Sequence, residues 1–215
     1  MKKIFAFLFI VFLIGIGVWY VKIHRTVKIV PTTSTYRNNE TGIVFIYPKT
    51  LTVKNTNDTG DTVVIHHEVP FEHHDYCDFK GEATGTSPTL TDFNVALHVD
   101  NLALVPAIRA ESPYIPAENF LSNQVIPSPG FIDQVTVGKL SGYKIFEGTE
   151  GCGQTTYYFP VGSGKTLVVE DDLITVFTGA IDPSQTSSAL AVPGIISKTD
   201  HDSILNSILQ TVSVN

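Results

Sequence analysis

Residues 35–48 read TYRNNETGIVFIYP and pass from turn to strand. Asn38, Asn39 and Gly42 are turn residues. Behind them Ile43, Phe45 and Tyr47 recur at every second position, the spacing that places three side chains on one face of a half-buried strand. Pro48, with no N–H to give to a ladder, ends it. Downstream, LTVKNT and DTVVIHHEV flank the turn tetrapeptide NDTG, which predicts a β-hairpin. Residues 70–91 hold two Pro, two Gly, Cys77 and several charges without periodicity, and are expected to form a long loop. DFNVALHV then resumes the sheet, with Phe93, Val95, Leu97 and Val99 on one face. A short helix is expected in AENFLSNQVI after Pro116. Three further strands are read in QVTVGKLSGYKIFEGTEG, TTYYFPV and KTLVVEDDLITVF, with GSGKT as the turn before the last. Finally Asp200 is expected to cap a helix in which Ile204, Leu205, Ile208 and Leu209 recur at helical spacing. The sum is an α+β domain, a mostly antiparallel β-sheet flanked by helices.

The two ends of this domain carry a resemblance. The opening T-Y-x-N-x-x-x-G-I-x-F-x-Y-P, Thr35 to Pro48, and the closing I-L-x-T, Ile208 to Thr211, resemble the bounds of PsbP-like domains in bacterial envelope proteins. CDFKG at 77–81, TDF at 91–93, EGTEGCG at 147–153 and YYFP at 157–160 are similar to segments of uncharacterised membrane-anchored bacterial proteins. The resemblance implies a sandwich of antiparallel sheet and helices. It also implies an accessory or binding role rather than an enzyme, although a fold does not fix a function.

Ahead of the domain, Ile4 to Val21 are 18 residues without a charge, a length that spans about 27 Å as a helix. Trp19 and Tyr20 close the run, and Lys22, His24 and Arg25 follow. We read residues 1–25 as a single N-terminal transmembrane anchor, 26–35 as a stalk and 36–215 as the PsbP-like domain. The rival reading is a cleaved signal peptide, with Lys2 and Lys3 before an apolar stretch and Gly15 and Gly17 before a cut. Basic residues on the two sides of the run are nearly balanced, so orientation is argued from Cys77 and Cys152. The chain has no other cysteines, and one disulfide between them would suit an oxidising compartment outside the cytoplasm.

The chain holds 14 Lys and Arg against 21 Asp and Glu, but its first 25 residues contain four of the basic ones and no acid. The remainder therefore sets ten basic residues against 21 acidic ones, a net charge of −11, which excludes nucleic acid as a partner. No G-x-S-x-G nucleophile elbow is present. GSGKT is not a phosphate loop, because Phe159 stands where that motif needs its first glycine. NTNDTGD lacks the closing Glu of a calcium loop, whose place His66 takes. Cys152, between two glycines, is read as a disulfide partner before a nucleophile. What stands out is His66, His67, His73 and His74, close to Asp75, Cys77 and Asp78. Imidazole and carboxylate together suit Zn²⁺ or Cu²⁺, while a solvated polar loop with incidental histidines is the plainer reading. On a strand, His66 and His67 point to opposite faces, so only one of them can join a site with His73 and His74. The expected function is thus a membrane-anchored, extracytoplasmic, non-enzymatic binding or accessory module that needs no cofactor and meets another envelope protein. The alternative is a metal-binding or metal-sensing domain built on residues 66–78.

Overall fold

The computed structural model describes residues 32–56, 61–75, 77, 85–149, 151–179 and 182–215. The anchor expected at 1–25 lies outside these residues. Among the described residues no helix is long and apolar enough to cross a membrane.

Strand β1 (Thr33–Arg37) pairs antiparallel with β2 (Ile43–Pro48), so the last residues of the expected stalk belong to the sheet. Their β-branched threonines favour that extended backbone. Asn38 makes the turn between the strands, its Oδ1 accepting from the backbone N–H of Glu40 at 2.8 Å. Gly42 turns the chain at φ 75°, where a Cβ would collide with the backbone of Asn215.

The main sheet begins with β3 (Thr52–Asn55), β4 (Val63–Asp75) and β5 (Gly85–Asp100). Helix α1 (Leu104–Glu111) follows, then a 3-10 turn (Ala117–Asn119) and the small hairpin of β6 (Phe120–Leu121) and β7 (Gln124–Val125). A meander comes next: β8 (Ile132–Val137), β9 (Leu140–Thr149), β10 (Cys152–Pro160) and β11 (Thr166–Asp172). The chain ends with α2 (Thr175–Thr178), α3 (Pro183–Ala189), α4 (Lys198–Leu209) and β12 (Ser213–Val214). Seven strands form one antiparallel sheet in the order β3-β4-β5-β11-β10-β9-β8, and β1-β2-β12 form a second.

Each face of the large sheet is covered. On one face α4 and β2 bury Leu205, Ile208, Ile43 and Phe45 against Phe93, Val95 and Val169. On the other, α1 and the β6–β7 hairpin pack Ile108, Phe120 and Val125 over Ile132, Ile145 and Tyr158. A smaller cluster joins Val69 and Leu90, on the outer part of the β4–β5 hairpin, to Val176 and Ala189 of α2 and α3. The result is the α+β architecture expected, a mostly antiparallel sheet with helices against it.

Several elements differ from the sequence reading. The loop expected at 70–91 is largely strand, because β4 runs to Asp75 and β5 starts at Gly85. Two register shifts, between His67 and Glu68 and between Pro70 and His73, break the two-residue alternation that would have revealed it. Pro70 is tolerated because β3 pairs with β4 only as far as His66, which leaves the rest of β4 at the sheet edge. AENFLSNQVI is a turn and a hairpin instead of a helix, with Ser122 at φ 56°. QVTVGKLSGYKIFEGTEG contributes two strands, β8 and β9, and residues 175–178 coil into α2. The cap of α4 is Ser197, not Asp200: Ser197 Oγ accepts from the Asp200 N–H at 3.2 Å and donates to its carboxylate at 2.7 Å.

Candidate functional site

The register shift at His67 sorts the histidines between the two faces. Pairing runs from His67 opposite Phe93 to Glu68 opposite Thr91, so Asp92 is the extra residue of a bulge. Its buried carboxylate turns to the α4 face, where one oxygen meets His67 Nδ1 at 2.6 Å and the other accepts the Ile196 N–H at 2.7 Å. Also on that face, His201 of α4 places Nε2 2.7 Å from Asp171 Oδ1 and Nδ1 3.4 Å from the Asp92 carbonyl. Burial alone would lower the His201 pKa, but the hydrogen bond and charge of Asp171, with Asp202 nearby, outweigh it and hold the imidazole above its ordinary value. Burial pushes the Asp171 carboxyl up, against the opposing pull of His201. His67 therefore belongs to a network that fastens α4 to the sheet.

His66, His73 and His74 line a cleft of about 480 Å³. Its floor comes from β5 and β11, where Asn94 Nδ2 donates to the Asp172 carboxylate and His66 stands opposite Asn94 across the β4–β5 ladder. One wall is the outer part of β4. The other is the chain from Asp172 into α2. His73 is buried, its ring stacked on Phe71 with centroids 6.1 Å apart and Nδ1 3.3 Å from the Phe71 carbonyl. His74 is exposed and directs Nδ1 to the Asp75 carbonyl at 3.0 Å. Asp75 in turn accepts the Cys77 N–H at 2.9 Å. Among the described residues, the donors of this segment do not converge as a three-ligand set; Asp78 lies outside those residues.

The structure does not support the expected disulfide. Cys77 and Cys152 are free thiols, set side by side at hydrogen-bonding range, whereas a disulfide requires sulfurs about 2 Å apart. Orientation relative to the membrane therefore draws nothing from a cross-link. Burial, the neighbouring Cys77 thiol and the Asp75 charge push the Cys152 thiol up to about 11, with only Thr175 pulling the other way. A thiol held protonated is a poor nucleophile at neutral pH. The next residue, Gly153, sits at φ 139°, where a Cβ would meet the Glu147 carbonyl, so the glycine lets β10 lie close on β9 at the cleft.

Sequence reasoning found the three cleft histidines but missed Asn94 and Asp172. These two meet only because β11 pairs with β5 across a long stretch of chain, with Asp171 opposite Val95. Neither belongs to a motif.

No family model and no curated protein matches the sequence. Among solved structures, the chain is similar to cyanobacterial PsbP (CyanoP) from Synechocystis sp. PCC 6803, at 11% identity and a TM-score of 0.37, over 88% of this chain and 96% of that one. It is also similar to a protein from Bacteroides thetaiotaomicron VPI-5482, at 9% identity and a TM-score of 0.39. That match covers 81% of this chain, which spans about half the length (45%) of the Bacteroides protein. At such scores and identities the likeness concerns the fold and says nothing of activity.

Proposed function

We propose that this protein is a non-enzymatic binding or accessory module of the cell envelope, held at the membrane by its N-terminal segment, with the folded domain outside the cytoplasm. Its partner is another envelope protein, engaged at the cleft beside the outer part of β4. The observation that carries the reading is the cleft itself. About 480 Å³ in volume, it gathers polar groups from three strands, β4, β5 and β11. Among the described residues, no strand pairs with β4 beyond His66 on its outer side, which leaves main-chain groups placed to accept an added strand. The membrane placement is supported by the uncharged run from Ile4 to Val21: a signal peptide exports the chain behind it, and a retained span is compatible with the same side.

A second reading is Zn²⁺ or Cu²⁺ bound by His66, His73 and His74. All three line the same cleft, as does the Cys77 thiol, but their donors do not converge, so this reading requires the outer part of β4 to rearrange around the ion.

A bulky substitution tests the first reading. Thr89 is exposed on the cleft, and Trp in its place fills the opening without burying a polar group. Thr89→Trp is expected to lose the component that co-purifies with the wild-type chain from its own membrane, while Thr136→Trp, at an exposed position of β8, retains it. Equal recovery from both variants would contradict the proposal. Loss of the component on chelation, restored by Zn²⁺ or Cu²⁺ alone, would favour the second reading.

A further inference from the structure

At the opposite end of β5 from the cleft, His98 and Asp100 lie two positions apart and so share one face of the strand. Glu111, the last residue of α1, comes down beside them. His98 Nε2 is 3.5 Å from Asp100 Oδ1 and 3.5 Å from Glu111 Oε1, and one donor atom from each residue lies within 4.8 Å of the other two. Those separations are long for N–H···O hydrogen bonds, which cluster near 2.9–3.0 Å. They match the spacing of ligands around a metal, since two donors bonded at about 2.1 Å in tetrahedral geometry stand about 3.4 Å apart.

Two further observations point the same way. Asp100 Oδ2 is buried with no hydrogen-bond partner, a cost a structure rarely bears without a compensating group. Glu111 occupies the C-terminal end of a helix, where the macrodipole disfavours a carboxylate and favours a cation.

We propose that His98, Asp100 and Glu111 form a divalent metal site, Zn²⁺ foremost, independent of the cleft. The set is one imidazole nitrogen and two carboxylate oxygens, whose two negative charges a divalent ion neutralises. It contains no thiolate, so it disfavours Cu(I) and suits Zn²⁺ or Mn²⁺. Three protein ligands leave at least one coordination position for water or a partner's side chain. The site borders the α1 face of the sheet, and a bound ion would tie the end of α1 to β5.

The test uses the full chain in detergent, without a polyhistidine tag, and titrates it with Zn²⁺ and separately with Mn²⁺. One equivalent of Zn²⁺ is expected to bind and to raise the melting temperature. Glu111→Gln should weaken that binding by at least about tenfold, as should His98→Gln, through loss of one ligand of three. Glu111 is partly exposed at a helix end, so its amide variant keeps the fold and serves as the control on His98→Gln. The double variant His66→Ala/His74→Ala should leave this equivalent in place, which separates the site from the cleft. No stoichiometric metal in the wild type, or binding undiminished in Glu111→Gln, would overturn the proposal.

Discussion

Asp92 shows how one residue can organise a face of the molecule without being visible in the sequence. In DFNVALHV it reads as the polar lead of an alternating strand. Its role comes from the bulge, which turns its carboxylate inward to hold His67 and the N–H of Ile196. No motif marks it, because a register shift is a property of two strands together. The same holds for His201, which the sequence places on a helix but cannot pair with Asp171 of β11. That pair makes stability depend on pH in a definite sense. The folded imidazole holds its proton above the ordinary value of 6.5, so the stability protonated His201 contributes is complete below that value and is lost as pH rises through the folded one. Asp171 carries the same sign, since its carboxyl is also raised in the fold: its contribution is complete below 3.8 and is lost as pH climbs through the folded value. The urea midpoint is therefore expected to fall as pH is raised from about 6.5, and His201→Gln should flatten that fall. An unchanged pH profile in His201→Gln would refute the assignment.

Among the elements, those with an intact period were legible and those with an interrupted one were not. Ile43, Phe45 and Tyr47 announced β2, and Ile204, Leu205, Ile208 and Leu209 announced α4, because each repeat is read within one element. The outer part of β4 was hidden by two register shifts and a proline at a sheet edge. AENFLSNQVI failed for a different reason: Pro116, read as a helix start, precedes only a single 3-10 turn, and the turn around Ser122 then makes a hairpin that buries Phe120 and Val125 against the α1 face. At the start of α4, Ser197 and Asp200 bond reciprocally, as in a capping box. Ser197→Ala is expected to cost about 1 kcal/mol, measured by urea denaturation, while the α4 helix persists by circular dichroism. A variant as stable as wild type would show that the cap is not energetically significant.

For the whole molecule, the α+β class was within reach of the sequence because hydrophobic alternation and turn residues specify layers. The cleft was only partly so. His66, His73 and His74 stood out by composition, whereas Asn94, Asp172 and the chain leading into α2 reach the same place through the pairing of β5 with β11 and the packing of Val176 against Leu90. Cys77 and Cys152 were matched by elimination, and the structure sets them beside each other as thiols without a bond, since proximity does not imply the geometry of a cross-link. The most direct test of cleft binding is site-specific photocrosslinking in the native membrane, with a photoreactive residue at Thr89 in the cleft or at Thr136 on β8. The account predicts one discrete adduct with an envelope protein from Thr89 and none from Thr136; no adduct from Thr89, or the same adduct from both positions, would contradict it.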